Sequence, residues 1–257
     1  MIWGSSLATR MPIMAISRFY CATPLLPNTS IELPAALAHH AVRVLRLKTG
    51  SDIILFDGQG GQYTATLEIT GKQAHARLGG YEPVEAELTG HITLVQGIPS
   101  GDKMDWVVEK AVELGASRIV PLAAQRSVLQ LSGERLRKRL DHWRRISQAA
   151  SEQCGRNRIM EVASPLTLQQ YIAASDADPA SILFCHPGSS RKLAQAALEA
   201  GNSLTLVVGP EGGWSDEELA LMAKHQLTPV GFGARVLRTE TAGLALIAAV
   251  STLRGWN

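Results

Sequence analysis

The second half of the chain alternates short apolar segments with helical patterns, and this alternation restricts the possible folds more than any other feature of the sequence. Each predicted strand precedes a segment with helical periodicity. The strands are expected at residues 92–96, 118–122, 182–185, 204–208 and 229–232. Strands joined by helices form a parallel sheet covered on both faces, and ligands bind at the carboxyl ends of its strands. We therefore predict an α/β domain with a doubly wound parallel sheet.

The first third of the chain has a different pattern. Short β-like runs at residues 52–56, 62–69 and 73–78 alternate with glycine-containing turns, and one helix is expected between residues 34 and 47. Short strands at this spacing predict a small β-barrel. Residues 1–17 contain no acidic residue, and their apolar run is too short and interrupted for a targeting peptide.

The chain is therefore predicted to have three parts. Residues 1–17 are interpreted as a disordered extension or a misassigned start, residues 18–88 as the barrel, and residues 89–257 as the α/β domain. The three cysteines are widely spaced and form no C-x-x-C, which argues against a zinc site and favours a reducing, cytoplasmic location. The apolar run at residues 243–250 is about half a membrane span, so no membrane association is expected.

Positive charge is concentrated between residues 126 and 158. This segment has nine Lys or Arg and three acidic residues, a net +6, so the rest of a chain with net charge +2 carries about −4. Apolar residues recur at helical spacing and leave most arginines on the opposite side; they are Leu136, Leu140, Trp143 and Ile146. Both a solvated helix face and a phosphate-binding surface are consistent with this pattern.

Two glycine-rich segments follow predicted strands, and each looks like a turn that contacts a ligand. The first is LVVGPEGGWS at residues 206–215, and the second is VGFGARVLRTETA at residues 230–242. The first lacks the spacing of a dinucleotide-binding glycine motif. Ser215 is the predicted cap of the next helix with Glu218 as its capping-box partner, and Asp216 and Glu217 lie between them.

Three carboxylates at a helix start would repel the phosphates of NAD, FAD or ATP. A ligand without phosphates, held by backbone groups and carrying positive charge, fits these turns better. S-adenosylmethionine has an adenine that backbone groups can recognise, a sulfonium cation and an amino-acid tail. The pattern therefore favours this molecule.

At these two segments the sequence resembles the RsmE family of 16S ribosomal RNA methyltransferases, in the SPOUT superfamily. The resemblance extends over nearly the whole chain from Arg18 and includes RFY at residues 18–20, HHAVRVLR at 39–46, KAVELG at 110–115, QRSV at 125–128 and EQCGR at 152–156. It implies an N-terminal PUA-like RNA-binding barrel, a C-terminal domain with a deep trefoil knot, and a homodimer. The implied reaction is transfer of a methyl group from S-adenosylmethionine to N3 of a uridine in 16S rRNA, presented in the assembled small ribosomal subunit.

The resemblance also implies which residues form the cofactor pocket. His186 follows a strand where another loop should border the pocket, although a lone histidine more often has a structural role. Glu211 either orients the cofactor or caps a local turn. The predicted cofactor-binding residues are His186, Val208, Gly209, Pro210, Glu211, Gly212, Gly213, Gly231, Gly233, Val236, Leu237, Arg238, Thr239, Thr241 and Ala242. At least one of Thr239, Glu240 and Thr241 is expected to have a structural role at the start of the last helix.

The chemistry requires removal of the N3 proton or stabilisation of the uracil oxyanion. The predicted catalytic candidates are Glu211 and Glu240 as proton acceptors and Arg235 and Arg238 as oxyanion partners. Predicted RNA contacts are Arg18, Arg43, Arg46, Arg126, Gln153, Arg156 and Arg158. Two alternatives remain open, an RNA-binding assembly factor without turnover and a related enzyme acting on tRNA. The last helix is apolar almost all round and needs burial on several sides, which a subunit interface would provide.

Overall fold

A computed structural model of the chain describes residues 16–71, 73–127 and 132–257. The described residues divide into two compact units, and the division lies between Val84 and Glu85. The predicted N-terminal extension lies outside the described residues except for its last two positions.

The first unit contains a five-stranded sheet, as the β-rich pattern predicts. Its strands are β1 (Ser17–Tyr20), β2 (Ser30–Glu32), β3 (Asp52–Phe56), β4 (Gln62–Thr70) and β5 (Gln73–Glu82), in the order β1-β3-β4-β5-β2. The β1–β3 pair is parallel and the other pairs are antiparallel. The predicted helix is α1 (Ala35–His39), continued by a π-helical turn (His40–Val44). Alternate strand residues such as Ile53, Leu55 and Leu67 are fully buried in the core of this unit.

The second unit is built on six parallel strands. They are β6 (His91–Gly97), β7 (Arg118–Leu122), β8 (Glu161–Val162), β9 (Ile182–Cys185), β10 (Ser203–Val208) and β11 (Thr228–Val230). The predicted α/β domain with a parallel sheet is confirmed. The strand order is β11-β9-β10-β6-β7-β8. Chain order therefore reverses between the neighbouring strands β6 and β10, and ligands of open α/β sheets bind at such a reversal. The knot that the resemblance implies stays a prediction.

Six helices connect and cover these strands. They are α2 (Lys103–Glu113), α3 (Gly133–Cys154), α4 (Leu168–Ala174), α5 (Leu193–Glu199), α6 (Asp216–Lys224) and α7 (Thr239–Leu253). The short strand β8 and helix α4 have no counterpart in the sequence prediction. Helix α2 is the helical segment predicted after the first strand of this unit, and its apolar residues at helical spacing are all buried; they are Met104, Val107, Val108, Ala111 and Val112. Of the described residues, no helix is long and apolar enough to cross a membrane.

The predicted capping box at the start of α6 is present. The Ser215 hydroxyl accepts a hydrogen bond from the Glu218 backbone N–H at 3.0 Å, and the Glu218 carboxylate accepts one from the Ser215 N–H at 3.0 Å. The second carboxylate oxygen of Glu218 accepts a hydrogen bond from the Gln125 N–H at 3.0 Å. Glu218 thus joins the start of α6 to the loop after β7 and satisfies backbone donors at both places.

The apolar helix α7 is buried largely within its own unit. Leu246, Ile247 and Val250 have no exposed surface, and Leu244 is 7% exposed. Gly243 faces β6, where a Cβ atom would lie 2.7 Å from the Gln96 side-chain oxygen and 3.0 Å from Leu94. The burial that the sequence requires therefore comes mainly from packing on the sheet and its neighbouring helices, and the homodimer stays a prediction.

Candidate cofactor and RNA site

A cavity of about 570 Å³ lies at the carboxyl ends of β9 and β10, beside the reversal of strand order. Residues of both glycine segments line it together with residues from two other loops. The lining consists of Lys103, Cys185, Pro187, Val208, Gly209, Pro210, Glu211, Gly213, Trp214, Val236, Leu237, Arg238, Thr239, Glu240 and Ala242. The two segments thus form walls of one cavity.

The first segment turns sharply over an aromatic side chain. Gly209 lies against the Trp214 ring, which a Cβ atom would approach at 3.0 Å, and the Trp214 indole N–H donates to the Cys185 carbonyl at 3.2 Å. Gly213 has φ +71°, a backbone conformation that favours glycine. These contacts connect the turn after β10 to the end of β9 and give the cavity an apolar wall.

A chain of hydrogen bonds joins the second segment to the first. The buried Gln96 side-chain amide donates to the Thr239 hydroxyl at 2.9 Å, and that hydroxyl donates to the Gly209 carbonyl at 2.6 Å. Thr239 is the first residue of α7, so the start of this helix is held against β6 and the turn after β10. Thr239 therefore has the structural role that was expected of at least one residue here.

Glu211 is held by three donors. The Lys103 ammonium lies 2.5 Å from Oε1, the Ser100 hydroxyl donates to Oε1 at 2.8 Å, and the Ser100 backbone N–H donates to Oε2 at 3.1 Å. The hydrogen bond from Lys103 is the main cause that holds the pKa of Glu211 below its usual value, and Ser100 adds to it. A carboxylate stabilised in its charged form is a poor proton acceptor. The geometry opposes the predicted base role of Glu211 and favours an anchoring role.

The other catalytic candidates differ in their surroundings. Glu240 lines the cavity, its Oε1 lies 3.7 Å from the Lys103 ammonium, and its side chain is 15% exposed. Arg238 is exposed at the cavity wall and is the N-cap residue of α7. Arg235 is exposed and lines a smaller adjoining cavity with Val236. The structure therefore brings Glu240 and Arg238 to the main cavity and Arg235 to its neighbourhood.

Family models match both units. The RNA methyltransferase domain model matches residues 86–251, and the RNA methyltransferase PUA domain model matches residues 33–79. The ribosomal RNA small subunit methyltransferase E of Synechocystis is 32% identical over 88% of this chain and 74% of its own length. The chain belongs to the ribosomal RNA small subunit methyltransferase E family.

Other members support the same relationship. The Bacillus subtilis ribosomal RNA small subunit methyltransferase E is 30% identical over 83% of this chain and 86% of its own length. The crystal structure of the Neisseria gonorrhoeae member bound to S-adenosyl methionine has a TM-score of 0.85 and 34% identity. This match covers 93% of the present chain and 98% of the Neisseria gonorrhoeae chain.

Some predicted pocket residues of this family member do not line the main cavity. Gly233 lines the adjoining smaller cavity, and the others are His186, Gly212, Gly231 and Thr241. His186 accepts a hydrogen bond from the Gly188 N–H at 3.2 Å and packs edge-on against Phe184. A Cβ atom on Gly212 would lie 3.0 Å from the Arg126 backbone oxygen. His186 thus makes its contacts within the loop after β9, and Gly212 permits the close approach of the Arg126 main chain.

Four cavity residues of this family member were missed by sequence reasoning, namely Lys103, Cys185, Pro187 and Trp214. Cys185 and Pro187 flank His186, so the loop after β9 borders the cavity through residues other than the one predicted. Burial raises the pKa of the Cys185 thiol, which disfavours a thiolate there. Lys103 follows the GIPSG sequence at residues 97–101, which was not recognised as a third loop of the site.

The predicted RNA-binding residues are mostly at the surface. Arg126 is exposed and its guanidinium lies 3.5 Å from the Gly212 carbonyl, beside the first glycine segment. Arg18 is partly buried, donates to Gln62 at 2.7 Å and lies over the Phe56 ring. The remaining exposed candidates are Arg43, Arg46, Gln153 and Arg158.

Arg156 requires a correction. Only 3% of this residue is exposed, and its guanidinium forms a two-point ion pair with Glu87 at 2.9 and 2.5 Å. It also donates to the Val112 and Ala116 carbonyls at 2.9 and 2.8 Å. A guanidinium satisfied inside the protein is not available to phosphate, so the predicted RNA contact is wrong for Arg156. Its role is structural.

The Glu211 contacts predict a pH dependence of stability. The lowered pKa means that Glu211 stabilises the fold above its unfolded pKa, and this contribution is lost as the pH falls through the folded value. Thermal unfolding of Glu211→Gln should occur a few degrees below that of the wild type at pH 6–8. The difference should narrow as the pH is lowered below about 4. Circular dichroism measures the melting temperatures of the wild type and of Glu211→Gln at each pH.

Glu134→Gln provides the matched control, because Glu134 is exposed on α3 and pairs with Lys138 across one helical turn. It should change the melting temperature little at any of these pH values. A constant difference between Glu211→Gln and the wild type down to pH 3 would contradict the assignment of Glu211 as an ionised anchor.

Proposed function

We propose that this protein transfers the methyl group of S-adenosylmethionine to N3 of a uridine in 16S rRNA of the small ribosomal subunit. The observation that carries the proposal is the convergence of both glycine segments on one cavity, in a chain of the ribosomal RNA small subunit methyltransferase E family. Residues 18–88 are proposed to be a PUA-like RNA-binding domain and residues 89–257 the catalytic domain.

The cavity suits S-adenosylmethionine in size and chemistry. Its volume of about 570 Å³ is within the range for small-molecule sites, roughly 300–1,000 Å³. Glycine turns expose backbone groups to the ligand, and Trp214 and Leu237 provide apolar surface. When bound, the cofactor supplies an electrophilic methyl group on a sulfonium sulfur. Val208 to Gly213 and Val236 to Ala242 are proposed to hold it.

The chain's own contribution is to orient the base and manage its charge. Bringing N3 into line with the methyl donor supplies much of the rate through orientation. Arg238 at the cavity wall, and Arg235 beside it, are placed to stabilise negative charge on O2 or O4 of uracil. A carboxylate at the cavity can accept the N3 proton, and Glu240 is the better candidate because Glu211 is held by three donors.

RNA binding is proposed to use positive side chains on the surface of the catalytic unit. Arg126 lies against the first glycine segment, and the exposed arginines of α3 are Arg135, Arg137, Arg144 and Arg145. Since recognition of RNA sequence usually targets unpaired bases, the target uridine is expected to be turned out of its stack. Phosphate contacts make the affinity salt-dependent. The homodimer, the cytoplasmic location and the use of assembled subunits are parts of the same proposal.

Methylation of subunits tests the function directly. Small subunits from a strain that lacks the enzyme should incorporate label from radiolabelled S-adenosylmethionine into 16S rRNA. Reverse transcription should then stop at one position, because a methyl group on N3 blocks Watson–Crick pairing. Naked 16S rRNA in parallel reports whether the assembled subunit is the substrate.

Two results would oppose the proposal in different ways. Absence of label with tight S-adenosylmethionine binding by calorimetry would indicate a different RNA substrate, such as tRNA. Absence of both label and cofactor binding would favour an assembly factor without turnover. Label without a reverse-transcription stop would place the methyl group on another atom.

A further inference from the structure

Lys103 occupies a position that local helix chemistry disfavours. It is the first residue of α2, where the positive end of the helix dipole repels a cation. Its ammonium instead lies between two carboxylates that are distant in sequence, 2.5 Å from Glu211 Oε1 and 3.7 Å from Glu240 Oε1. The hydrogen bond to Glu211 raises the pKa of Lys103 above its usual value, although the positive charge of nearby Arg238 acts to lower that pKa. The cation is therefore retained by its two acidic partners.

The three residues follow three different strands of the sheet. Lys103 begins α2 after β6, Glu211 follows β10, and Glu240 lies in α7 after β11. All three line the main cavity. Lys103 thus connects both glycine segments to the start of α2, which neither segment contains.

The two carboxylates are not equivalent. Both oxygens of Glu211 accept hydrogen bonds, from Lys103 and from the side chain and backbone of Ser100. Glu240 Oε2 is shielded from solvent and accepts no hydrogen bond from any residue in the described ranges 16–71, 73–127 and 132–257. A shielded carboxylate oxygen without a donor is unfavourable unless a ligand provides one.

From this asymmetry we infer that Glu240 Oε2 accepts the N3 proton of the target uracil and that Lys103 is the positioning residue that holds the Glu240 carboxylate in place. This inference rests on the proposed methyl transfer. The N3–H bond breaks as its proton moves to Glu240 Oε2. The electron pair left on N3 forms the bond to the methyl carbon, whose bond to the sulfonium sulfur breaks with its electron pair kept by sulfur.

The assignment divides the two carboxylates by role. Glu211, neutralised by Lys103, anchors the turn after β10. Glu240 shares the same cation at longer range, and its Oε2 accepts no hydrogen bond from any described residue. The charged groups that bear on Glu240 are Lys103 from α2, Glu211 from the turn after β10, and Arg238 at the N-cap of its own helix.

The test uses the full-length protein and four variants, Glu240→Gln, Glu211→Gln, Lys103→Met and Lys103→Arg. Two quantities are measured on each. Calorimetry gives the affinity for S-adenosylhomocysteine, and single-turnover methylation of small subunits at saturating cofactor gives the chemical rate from pH 5 to 9. Thermal unfolding identifies any variant that fails to fold.

Glu240→Gln should slow the single-turnover rate at least about 100-fold, the usual range for loss of a general base, with less than a 3-fold change in S-adenosylhomocysteine affinity. The wild-type rate should fall at low pH as the base is protonated, and this fall should be absent in Glu240→Gln. In Glu211→Gln the rate should still fall at low pH. This variant should weaken S-adenosylhomocysteine affinity by a larger factor than it slows the single-turnover rate. Glu211→Gln is thus the matched control, because both variants remove one negative charge from the same cavity.

Lys103→Met should slow the single-turnover rate by a larger factor than Glu211→Gln does, because it releases Glu240 as well as Glu211. Lys103→Arg should restore the rate at least in part. A purely structural lysine would lower the melting temperature and the cofactor affinity and slow the rate no more than Glu211→Gln does, and that outcome would overturn the positioning role.

Two further outcomes would overturn the proton-acceptor role of Glu240. One is an unchanged chemical rate in Glu240→Gln accompanied by S-adenosylhomocysteine affinity reduced about 10-fold or more, which would make Glu240 a ligand of the cofactor. The other is a single-turnover rate that still falls at low pH in Glu240→Gln. If the wild-type protein binds S-adenosylhomocysteine and labels no RNA, the proposed substrate fails, and this result is distinguishable from failure of either variant prediction.

Discussion

Gly97→Val is expected to weaken cofactor binding strongly while the fold is retained. Gly97 is the last residue of β6, and a Cβ atom there would lie 2.5 Å from the Pro210 backbone nitrogen and 2.6 Å from the Gly209 carbonyl carbon. Both contacts are with main chain, which cannot move aside as a flexible side chain would. A side chain at Gly97 must therefore displace the turn that forms one wall of the cavity.

The size of the effect follows from the cost of overpacking, about 1–3 kcal/mol, which corresponds to about a 5- to 150-fold loss of affinity when binding must restore the turn. Calorimetry with S-adenosylhomocysteine measures this loss. Gly97→Ala should give a smaller effect of the same sign, since it adds only the Cβ atom.

Gly201→Val is the matched control for Gly97→Val. Gly201 is a non-helical residue of the same unit, a Cβ atom there would have no heavy atom within 4 Å, and its φ is not positive. This variant should bind S-adenosylhomocysteine as the wild type does. Equal affinity of the folded Gly97→Val variant and the wild type would mean that the turn after β10 does not form the cofactor wall.

Local patterns in the sequence were sufficient to predict most of the second unit. The helical spacing of Val107, Val108 and Ala111 placed α2, and Ser215 with Glu218 placed the start of α6, because each pattern depends on residues within a few positions of one another. The glycine segments were found for the same reason. Strand β8 has only two residues, too few to show any periodicity.

The residues that sequence reasoning missed depend on distant partners. Lys103 is a cavity residue because Glu211, 108 positions later, folds back to it. Arg156 lies in an arginine-rich segment whose average character is exposed, yet Glu87, 69 positions earlier, makes its burial possible. A charge pattern indicates that a segment lies at the surface. Only the tertiary structure shows which residue of that segment is buried.

Arg156→Met is expected to destabilise the protein strongly. The guanidinium is 3% exposed and binds both Glu87 oxygens as well as two carbonyls, those of Val112 in the last turn of α2 and of Ala116 just after it. Methionine keeps much of the apolar side chain and removes every donor. Loss of one member of a buried pair leaves the other charge without a partner and costs about 3–5 kcal/mol. For a protein of this size, that lowers the melting temperature by roughly 6–20 °C.

A double variant tests whether the unpaired Glu87 carboxylate causes this loss of stability. Adding Glu87→Met to Arg156→Met should recover part of the stability, because the unpaired carboxylate is then removed together with its cost. Arg158→Met is the matched control, since its side chain is 54% exposed and lies 3.6 Å from Glu85, and it should change the free energy of unfolding by less than about 1 kcal/mol. Arg158→Met should instead weaken RNA binding without changing the melting temperature. If Arg156→Met kept its stability and lost RNA affinity, the buried ion pair would not be the reason that this arginine is needed.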